Sequence, residues 1–102
     1  MYMFDSHIIT HDEDIERASR SLKAMSHPLR LKILCSLGNN KNSVQEIVKF
    51  VGTSQSNISQ HLCILKDKGI LSSQKDANRV YYKISDVRTL KLIEMMQDVF
   101  CG

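Results

Sequence analysis

Two short helical patterns separated by a very short gap restrict the fold more than any other feature of this chain. The first pattern, SVQEIVKFVG, starts at Ser43 with Glu46 in capping-box spacing and stops at Gly52. The second occupies about residues 54–67, and its apolar residues recur on one side of a helical wheel: Ile58, Leu62 and Leu65. Because only about two residues separate them, the two helices are predicted to form a helix-turn-helix.

The rest of the sequence predicts three more helices and one β-hairpin. The first helix is predicted to be capped by Asp12, and the second lies between Pro28 and Gly38. Two strands, ILSSQKD and RVYYKIS, flank a basic turn, and a final amphipathic helix follows them. The chain has 102 residues and no repeat or linker, so residues 1–102 are expected to form one domain. The predicted fold class is mainly α with a β-hairpin wing, a winged helix-turn-helix with five helices.

Apolar stripes run along the first and the last of these helices. The stripe of the first helix consists of Ile15, Ala18, Leu22 and Met25. The stripe of the last helix consists of Val87, Leu90, Ile93, Met96 and Phe100. Taken alone, both stripes are explained equally well by the core of one chain or by contact with a second chain.

Charge is distributed unevenly along the sequence. The net charge of the chain is +3, but residues 1–25 carry five acids and three bases, which gives −2. Residues 49–83 carry six bases and two acids, which gives +4. The positive part therefore coincides with the second helix of the pair and the hairpin, as expected for a surface that binds phosphates.

The second helix of the pair is polar on the side opposite its apolar residues. Ser, Asn and Gln side chains both donate and accept hydrogen bonds, and Gln or Asn can bond adenine with two hydrogen bonds. The imidazole of His61 is predicted to donate to a base or a phosphate, and the hairpin cations to attract phosphates of any sequence. The predicted contacts to double-stranded operator DNA are Ser54, Gln55, Ser56, Ser59, Gln60, His61, Lys75 and Arg79.

Three segments resemble the ArsR family of small bacterial repressors: LKAMSHPLRLKILCSL, SQSNISQHLCILKDKGIL and NRVYYKIS. The family pattern falls on Ser54, Gln55, Ser56, Ser59, His61, Leu62, Leu65 and Gly69, and the resemblance covers nearly the whole chain. The resemblance implies a homodimeric winged helix whose first and last helices form the dimer interface. The two apolar stripes fit that role.

Metal sensing is common among proteins that resemble this family, but the usual ligand patterns are absent from this sequence. The helix that starts at Ser43 has no cysteine, and the last helix has no histidine. The remaining alternative is His7 and His11, which share one face if their segment is helical, near Asp12 and Asp14. Isolated histidines at this spacing are usually solvated, so no metal or other cofactor is predicted.

Cysteines suggest a different signal. The segments LKILCSL and DVFCG resemble the two-cysteine branch of the family that contains the HlyU, BigR and SqrR regulators. The resemblance implies that reactive sulfur species or oxidants join Cys35 to Cys101, directly or through additional sulfur atoms, and that the repressor then releases DNA. Cys63 lies outside this pattern and is expected to be incidental. Both cysteines lie near helix C-termini, which disfavours the thiolate, so broad reactivity toward oxidants is not expected.

Other classes of function are disfavoured by the sequence. No pair of carboxylates or nucleophile with a neighbouring base suggests an enzyme. No segment approaches the roughly 20 apolar residues of a membrane span, so a cytoplasmic protein with reduced thiols is expected. Two alternatives to the cysteine-switched repressor stay open: a metal-responsive repressor of the same family, and a winged-helix anti-repressor that senses nothing.

Overall fold

A computed structural model describes residues 11–101, which form five helices and a small sheet. The elements in chain order are α1 (Asp12–Met25), α2 (Pro28–Leu37), β1 (Asn42–Ser43), α3 (Val44–Val51), α4 (Gln55–Asp67), β2 (Leu71–Asp76), β3 (Arg79–Ile84) and α5 (Val87–Cys101). The predicted winged helix-turn-helix with five helices is therefore confirmed. None of the helices in this part of the chain is long and apolar enough to cross a membrane.

Local signals set most helix boundaries as predicted. The Ser43 hydroxyl accepts a hydrogen bond from the Glu46 backbone N–H, and the Glu46 carboxylate accepts one from the Ser43 N–H at 2.8 Å. This reciprocal capping box starts α3, and Gly52 in the left-handed region ends it with φ of 82°. The predicted cap of α1 is wrong: His11 occupies the N-cap position without a side-chain cap, and Asp12 is the first helical residue. There the Asp12 carboxylate still faces the positive end of the helix dipole.

The sheet contains a strand that the sequence pattern does not predict. β2 and β3 form the expected antiparallel hairpin, and their pairing ends with Asp76 opposite Arg79 across a two-residue turn. β1 pairs with the other edge of β3, so the strand order is β1-β3-β2. Because β1 leads directly into α3, this pairing ties the helix-turn-helix to the wing.

The core lies where α2 passes beneath α3 and α4. Its largest completely buried side chains come from these helices, from the α4–β2 junction and from α5: Ile33, Leu34, Leu37, Ile47, Ile58, Leu62, Leu65, Ile70 and Ile93. Burial on this scale is worth about 1.5–3 kcal/mol for each aliphatic side chain. Three aliphatic side chains on the inner side of α4, Ile58, Leu62 and Leu65, thus anchor this helix in the core.

The apolar stripes of α1 and α5 divide differently from the prediction that assigns them to a dimer interface. Ile93 is completely buried in a single chain, and Leu90 and Met96 pack against the same core. A charge at Ile93 would therefore disrupt the fold itself and not only an interface. Other members of the two predicted stripes are exposed: Ile15, Leu22, Val87 and Phe100. The apolar side chains of Leu92, Met95 and Val99, which the predicted stripes do not include, are exposed as well.

Candidate nucleic-acid interface and cysteine pair

The recognition helix α4 presents one polar, solvent-exposed side. Ile58, Leu62 and Leu65 are buried on its inner side, and the exposed residues on the outer side include Gln55, Ser56, Ser59, Gln60 and Cys63. Hydroxyl and amide groups on this side have few partners within the chain, so they are free to bond an external ligand. A helix anchored on one side and polar on the other has the form that enters the major groove of DNA.

Ser54 stabilises the start of this helix. Its hydroxyl accepts a hydrogen bond from the Asn57 backbone N–H at 3.2 Å, which makes Ser54 the N-cap of α4. The Ser56 hydroxyl lies 3.4 Å from the Ser54 hydroxyl, and the Asn57 amide donates to the Thr53 hydroxyl at 3.2 Å. The first turn of the recognition helix is therefore organised before any ligand arrives.

His61 lies apart from the other predicted contact residues. Its ring is partly buried against the ring of His27, with 4.6 Å between the ring centroids. Its Nδ1 atom is buried and has no hydrogen-bond partner among residues 11–101. Burial, followed by the nearby His27 and Arg30, lowers the pKa of His61. A neutral, inward-facing imidazole is poorly suited to bind a phosphate, so of the eight predicted contacts His61 has the weakest support.

The wing carries its cations at and near its tip. Lys75 and Arg79 are both exposed, on strands that pair directly across the turn. Ala77 in this turn has a φ of 56°, a conformation that non-glycine residues rarely adopt. Hydrogen bonds with Ser43 are the main cause that lowers the pKa of Glu46, and the positive charge of Arg79 lowers it further. The strand β3, which begins at Arg79, also packs against α3. The wing cations and the helix-turn-helix thus belong to one electrostatic surface.

Ion pairing does not neutralise this surface in the described part of the chain. The ion pairs of residues 11–101 lie within α1, where Arg17 pairs with Glu13 and Asp14, and Arg20 pairs with Glu16. The cations of α4 and the wing have no carboxylate within 4.0 Å in the same region: Lys66, Lys68, Lys75 and Arg79. Unpaired cations of this kind supply the attraction to phosphates that does not depend on sequence.

The two cysteines of the predicted switch lie on helices that pack together. Cys35 is in the last turn of α2, partly buried, and Cys101 is the exposed last residue of α5. Burial raises the pKa of the Cys35 thiol, and the nearby Cys101 raises it further. The polar side chain of Gln97 acts in the opposite direction and lowers the pKa of Cys35. Because α2 packs against α5, these two residues, 66 positions apart in sequence, lie on neighbouring helices.

Cys63 and the histidines of the metal alternative lie elsewhere. Cys63 is exposed on the outer side of α4, on a different helix from either switch cysteine. His11 occupies the N-cap position of α1, whereas His7 lies outside the described residues. Within residues 11–101, no three His, Cys, Asp or Glu side chains are grouped closely enough to hold a metal ion.

Two residues of this region were missed by sequence reasoning. His27 is the N-cap of α2, where its Nδ1 accepts a hydrogen bond from the Leu29 N–H at 3.1 Å, and it is also the neighbour of His61. Its position directly before Pro28 was the available signal. Gln97 was missed although it stands one turn before Cys101, a spacing that places both side chains on one side of α5.

Comparison with known proteins identifies relatives along most of the chain. The family model described as "Bacterial regulatory protein, arsR family" matches residues 27–73. The transcriptional regulator YgaV of Escherichia coli is 42% identical over 87 residues, which cover 84% of this chain and 88% of YgaV. The transcriptional activator HlyU of Vibrio cholerae is 39% identical over 80 residues, which cover 78% of this chain and 74% of HlyU.

Solved structures give the same result for the fold. A structure of Vibrio cholerae HlyU superposes with a TM-score of 0.86 and 35% identity, covering 90% of this chain and 100% of that one. A second structure, described as reduced HlyU, gives a TM-score of 0.85 and covers 89% of this chain and 96% of that one. The transcriptional repressor BigR of Xylella fastidiosa gives a TM-score of 0.80 at 28% identity, covering 91% and 99% of the two chains.

Proposed function

This chain belongs to the ArsR family of bacterial regulatory proteins and is a DNA-binding transcriptional regulator, not an enzyme, and we propose that it is a repressor controlled by its cysteines. In this proposal a cytoplasmic homodimer binds its operator while its thiols are reduced. Reactive sulfur species or another oxidant then join Cys35 to Cys101 within one chain, and the dimer releases the DNA. The placement of these two cysteines on the neighbouring helices α2 and α5 is the observation that carries the proposal.

Operator recognition is assigned to the exposed side of α4 and to the wing. We assign base contacts to Gln55, Ser56, Ser59 and Gln60, because short polar side chains on a major-groove helix bond base edges. Lys75 and Arg79 are assigned to phosphates, because they are exposed cations with no ion-pair partner within residues 11–101. The cap residue Ser54 and the partly buried His61 are assigned to positioning the helix, with contacts to the backbone of the DNA at most.

Homodimer formation is supported by the exposed apolar side chains of α1 and α5. Side chains such as Leu22, Met95 and Val99 are 57%, 64% and 68% exposed in one chain, which is unfavourable for a monomer in water. A groove of about 450 Å³ lies between the two helices and is lined in part by Ala18, Leu92 and Met95. A second copy of the chain would cover this surface, and a two-fold dimer would present two α4 helices to a near-palindromic operator.

The switch acts because α2 and α5 have different neighbours. Cys35 is on the helix that packs beneath α3 and α4, and Cys101 ends the helix assigned to the dimer interface. A covalent bridge would tie these two helices together and change the spacing between the two recognition helices of a dimer. A coupling of about 1–3 kcal/mol is enough to change operator affinity about 5- to 150-fold.

The test combines mass spectrometry with operator binding. Reduced protein is treated with a persulfide donor or with peroxide, and the Cys35–Cys101 peptides are analysed while affinity for an operator duplex is measured. We expect a bridge within one chain and loss of affinity after the persulfide donor. Cys35→Ser and Cys101→Ser should bind the operator normally and ignore the donor, whereas Cys63→Ser should respond like the unchanged chain. A loss of response in Cys63→Ser alone would instead identify the recognition helix as the sensor.

An anti-repressor is the second candidate, because the HlyU relative is named as a transcriptional activator. In that case the protein would raise transcription by displacing another DNA-binding protein. In vitro transcription with this protein alone separates the two candidates. A repressor lowers transcription from its operator without any other protein, and an anti-repressor has no effect until the displaced protein is added.

A further inference from the structure

A small cavity lies where α1, the turn between α4 and β2, and the start of α5 meet. Its volume is about 220 Å³, which is enough room for a ligand the size of a phosphate group. Among residues 11–101, its charged lining consists of Arg17, Arg20, Lys68, Asp86 and Arg88. Four of these five side chains are cationic, so positive charge prevails in this cavity, which we call the basic pocket.

Hydrogen bonds hold the three walls of the basic pocket together. The Thr89 hydroxyl of α5 donates to the Asp86 carboxylate at 2.8 Å and lies 3.3 Å from the Ser21 hydroxyl of α1. The Ile70 carbonyl, in the turn after α4, accepts a hydrogen bond from the Ser85 backbone N–H at 3.0 Å. Thr89 and Ser21 are both buried. The basic pocket is therefore formed before any ligand arrives, which reduces the cost of binding.

The carboxylate in the basic pocket does not neutralise its cations. The two oxygens of Asp86 accept hydrogen bonds from the Thr89 hydroxyl and, at 3.1 Å, from the Arg88 backbone N–H. Within residues 11–101, neither Lys68 nor the Arg88 side chain has a carboxylate within 4.0 Å. The two arginines of α1 pair with acids of their own helix, and exposed pairs of this kind are weak. All four cations are thus available to an external anion.

The basic pocket lies away from the residues assigned to the operator. Lys68 is the C-cap of α4 and Ser54 is its N-cap, so about 20 Å of helix separates them at about 1.5 Å per residue. The residues assigned to base contacts lie in the N-terminal half of α4, and Lys75 and Arg79 lie at the tip of the wing. A ligand in the basic pocket would instead contact α1, the end of α4 and α5.

Cations on several sides of one small cavity match a ligand whose oxygens point in several directions. A carboxylate holds its oxygens in one plane, whereas a phosphate group is tetrahedral and carries about two negative charges near pH 7. Arginine guanidinium groups bind phosphate through paired hydrogen bonds. We propose that the basic pocket binds a phosphate group, either the free ion or the phosphate of a small phosphorylated molecule. This site does not depend on the proposed cysteine switch.

The first measurement is calorimetric titration of the full chain with inorganic phosphate at constant ionic strength. We expect saturable binding of one ion per chain. Arg20→Gln and Arg88→Gln should each weaken binding about tenfold, because each removes a hydrogen bond between a cation and the anion. The matched control is Lys23→Gln, which removes the same charge from an exposed position of α1 outside the basic pocket. It should change the affinity by less than about twofold, because salt screens distant exposed charges.

The second measurement compares ligands. Glycerol phosphate that binds more tightly than inorganic phosphate would identify a phosphorylated small molecule as the ligand class, and the reverse order would identify the free ion. Acetate should bind more weakly than both, since it is planar and carries one charge. Acetate that binds as tightly as phosphate would overturn the assignment to a phosphate group.

The third measurement separates the basic pocket from the DNA surface. Within the described part of the chain, Arg20 lines the basic pocket and not the groove assigned to the dimer interface, which Arg88 also lines. Arg20→Gln should therefore leave the affinity for random DNA unchanged while it weakens phosphate binding. Circular dichroism checks that each variant is folded.

Three results would overturn the proposal. The first is phosphate binding that does not saturate. The second is an equal loss of phosphate affinity in Lys23→Gln and Arg20→Gln, which would mean that the ion responds to net charge and not to the basic pocket. The third is a loss of affinity for random DNA in Arg20→Gln as large as its loss of affinity for phosphate, which would make the basic pocket part of the DNA surface.

Discussion

His61 is the residue in the recognition helix whose chemistry depends most on its surroundings. Its ring packs against His27 from α2, near Arg30, and its Nδ1 is buried. Protonation would place a positive charge in a partly buried position beside a second histidine and a guanidinium. The folded protein therefore favours the neutral imidazole, which is why the pKa of His61 is lowered.

This lowered pKa predicts a stability that depends on pH. An unfolded histidine titrates near pH 6.5, so below that pH the unfolded chain binds a proton that folded His61 resists. The stability that the neutral imidazole of His61 contributes is therefore fully present above about pH 6.5, and it is lost as the pH falls from there through the folded pKa. Urea unfolding at pH 7.5 and 5.5 should show a smaller loss of stability in His61→Gln than in the unchanged chain.

Two features make this comparison specific. Both pH values lie above the range in which Glu46 titrates, so the lowered pKa of that capping carboxylate does not contribute. Gln60→Ala, at the exposed neighbouring position, should retain the full pH dependence of the unchanged chain. Equal losses in His61→Gln and the unchanged chain would show that burial of His61 does not resist protonation.

The contact residues of α4 and the wing should separate by their effect on sequence specificity. Gln60→Ala should weaken binding to the operator by about 1–3 kcal/mol and leave binding to random DNA nearly unchanged, because it removes a base contact. Arg79→Ala should weaken both equally and reduce the salt dependence by about one phosphate contact. Both are measured by operator and random-duplex titrations over a series of salt concentrations. If Gln60→Ala lowered both affinities equally, Gln60 would not be a base reader.

Residue positions on the exposed side of α4 could be predicted because helical periodicity alone separates Gln60 from Ile58. The orientation of His61 could not be predicted in the same way. It lies on the flank of α4 between the buried and the exposed sides, and its environment is determined by His27 on another helix. Likewise, the pairing of Cys35 with Cys101 was predicted from a family resemblance, since periodicity carries no information about contacts between distant helices.

At the scale of elements, the capping box of α3 is the joint between the sheet and the helix-turn-helix. Ser43 pairs with Tyr81 of β3 and also caps α3, and its side chain is completely buried. Ser43→Ala removes the side-chain acceptor of the Glu46 N–H and should destabilise the protein by about 1 kcal/mol in urea unfolding. Gln45→Ala on the exposed side of α3 is the control and should be nearly neutral. Equal effects of the two changes would mean that the cap contributes little.

Element boundaries followed from local chemistry wherever a cap or a glycine marks the chain. Each of these signals works within a few residues of its own position: Pro28 starts α2, Ser43 caps the start of α3, and Gly52 ends α3. These helix boundaries were predicted correctly. β1 was not predicted because its two residues, Asn42 and Ser43, have no strand pattern of their own. Their extended conformation is stabilised by pairing with β3, which is about 40 residues away in sequence.

At the scale of the whole molecule, α5 serves two surfaces at once. Leu90, Ile93 and Met96 face the core, whereas Leu92, Met95 and Val99 form an exposed stripe on another side of the same helix. A helix with two apolar sides satisfies one of them within its own chain and leaves the other for a partner. The stripe predicted from the sequence combines core residues with Val87 and Phe100, which are exposed, and it leaves out Leu92, Met95 and Val99, which follow the same helical spacing.

Charge substitutions on the two stripes should therefore have opposite consequences. Met95→Lys places an ammonium group at a position that is 64% exposed in one chain, so the fold and its melting temperature should change little. In a dimer the same group would be buried without a partner, and sedimentation should find monomers whose operator affinity is greatly reduced. Ile93→Lys should instead destabilise each chain by about 3 kcal/mol or more, because Ile93 is completely buried. Glu94→Lys adds positive charge at an exposed position one residue away and should remain a dimer. Dimers of Met95→Lys at micromolar concentration, with full operator affinity, would show that the exposed stripe of α5 is not the dimer interface.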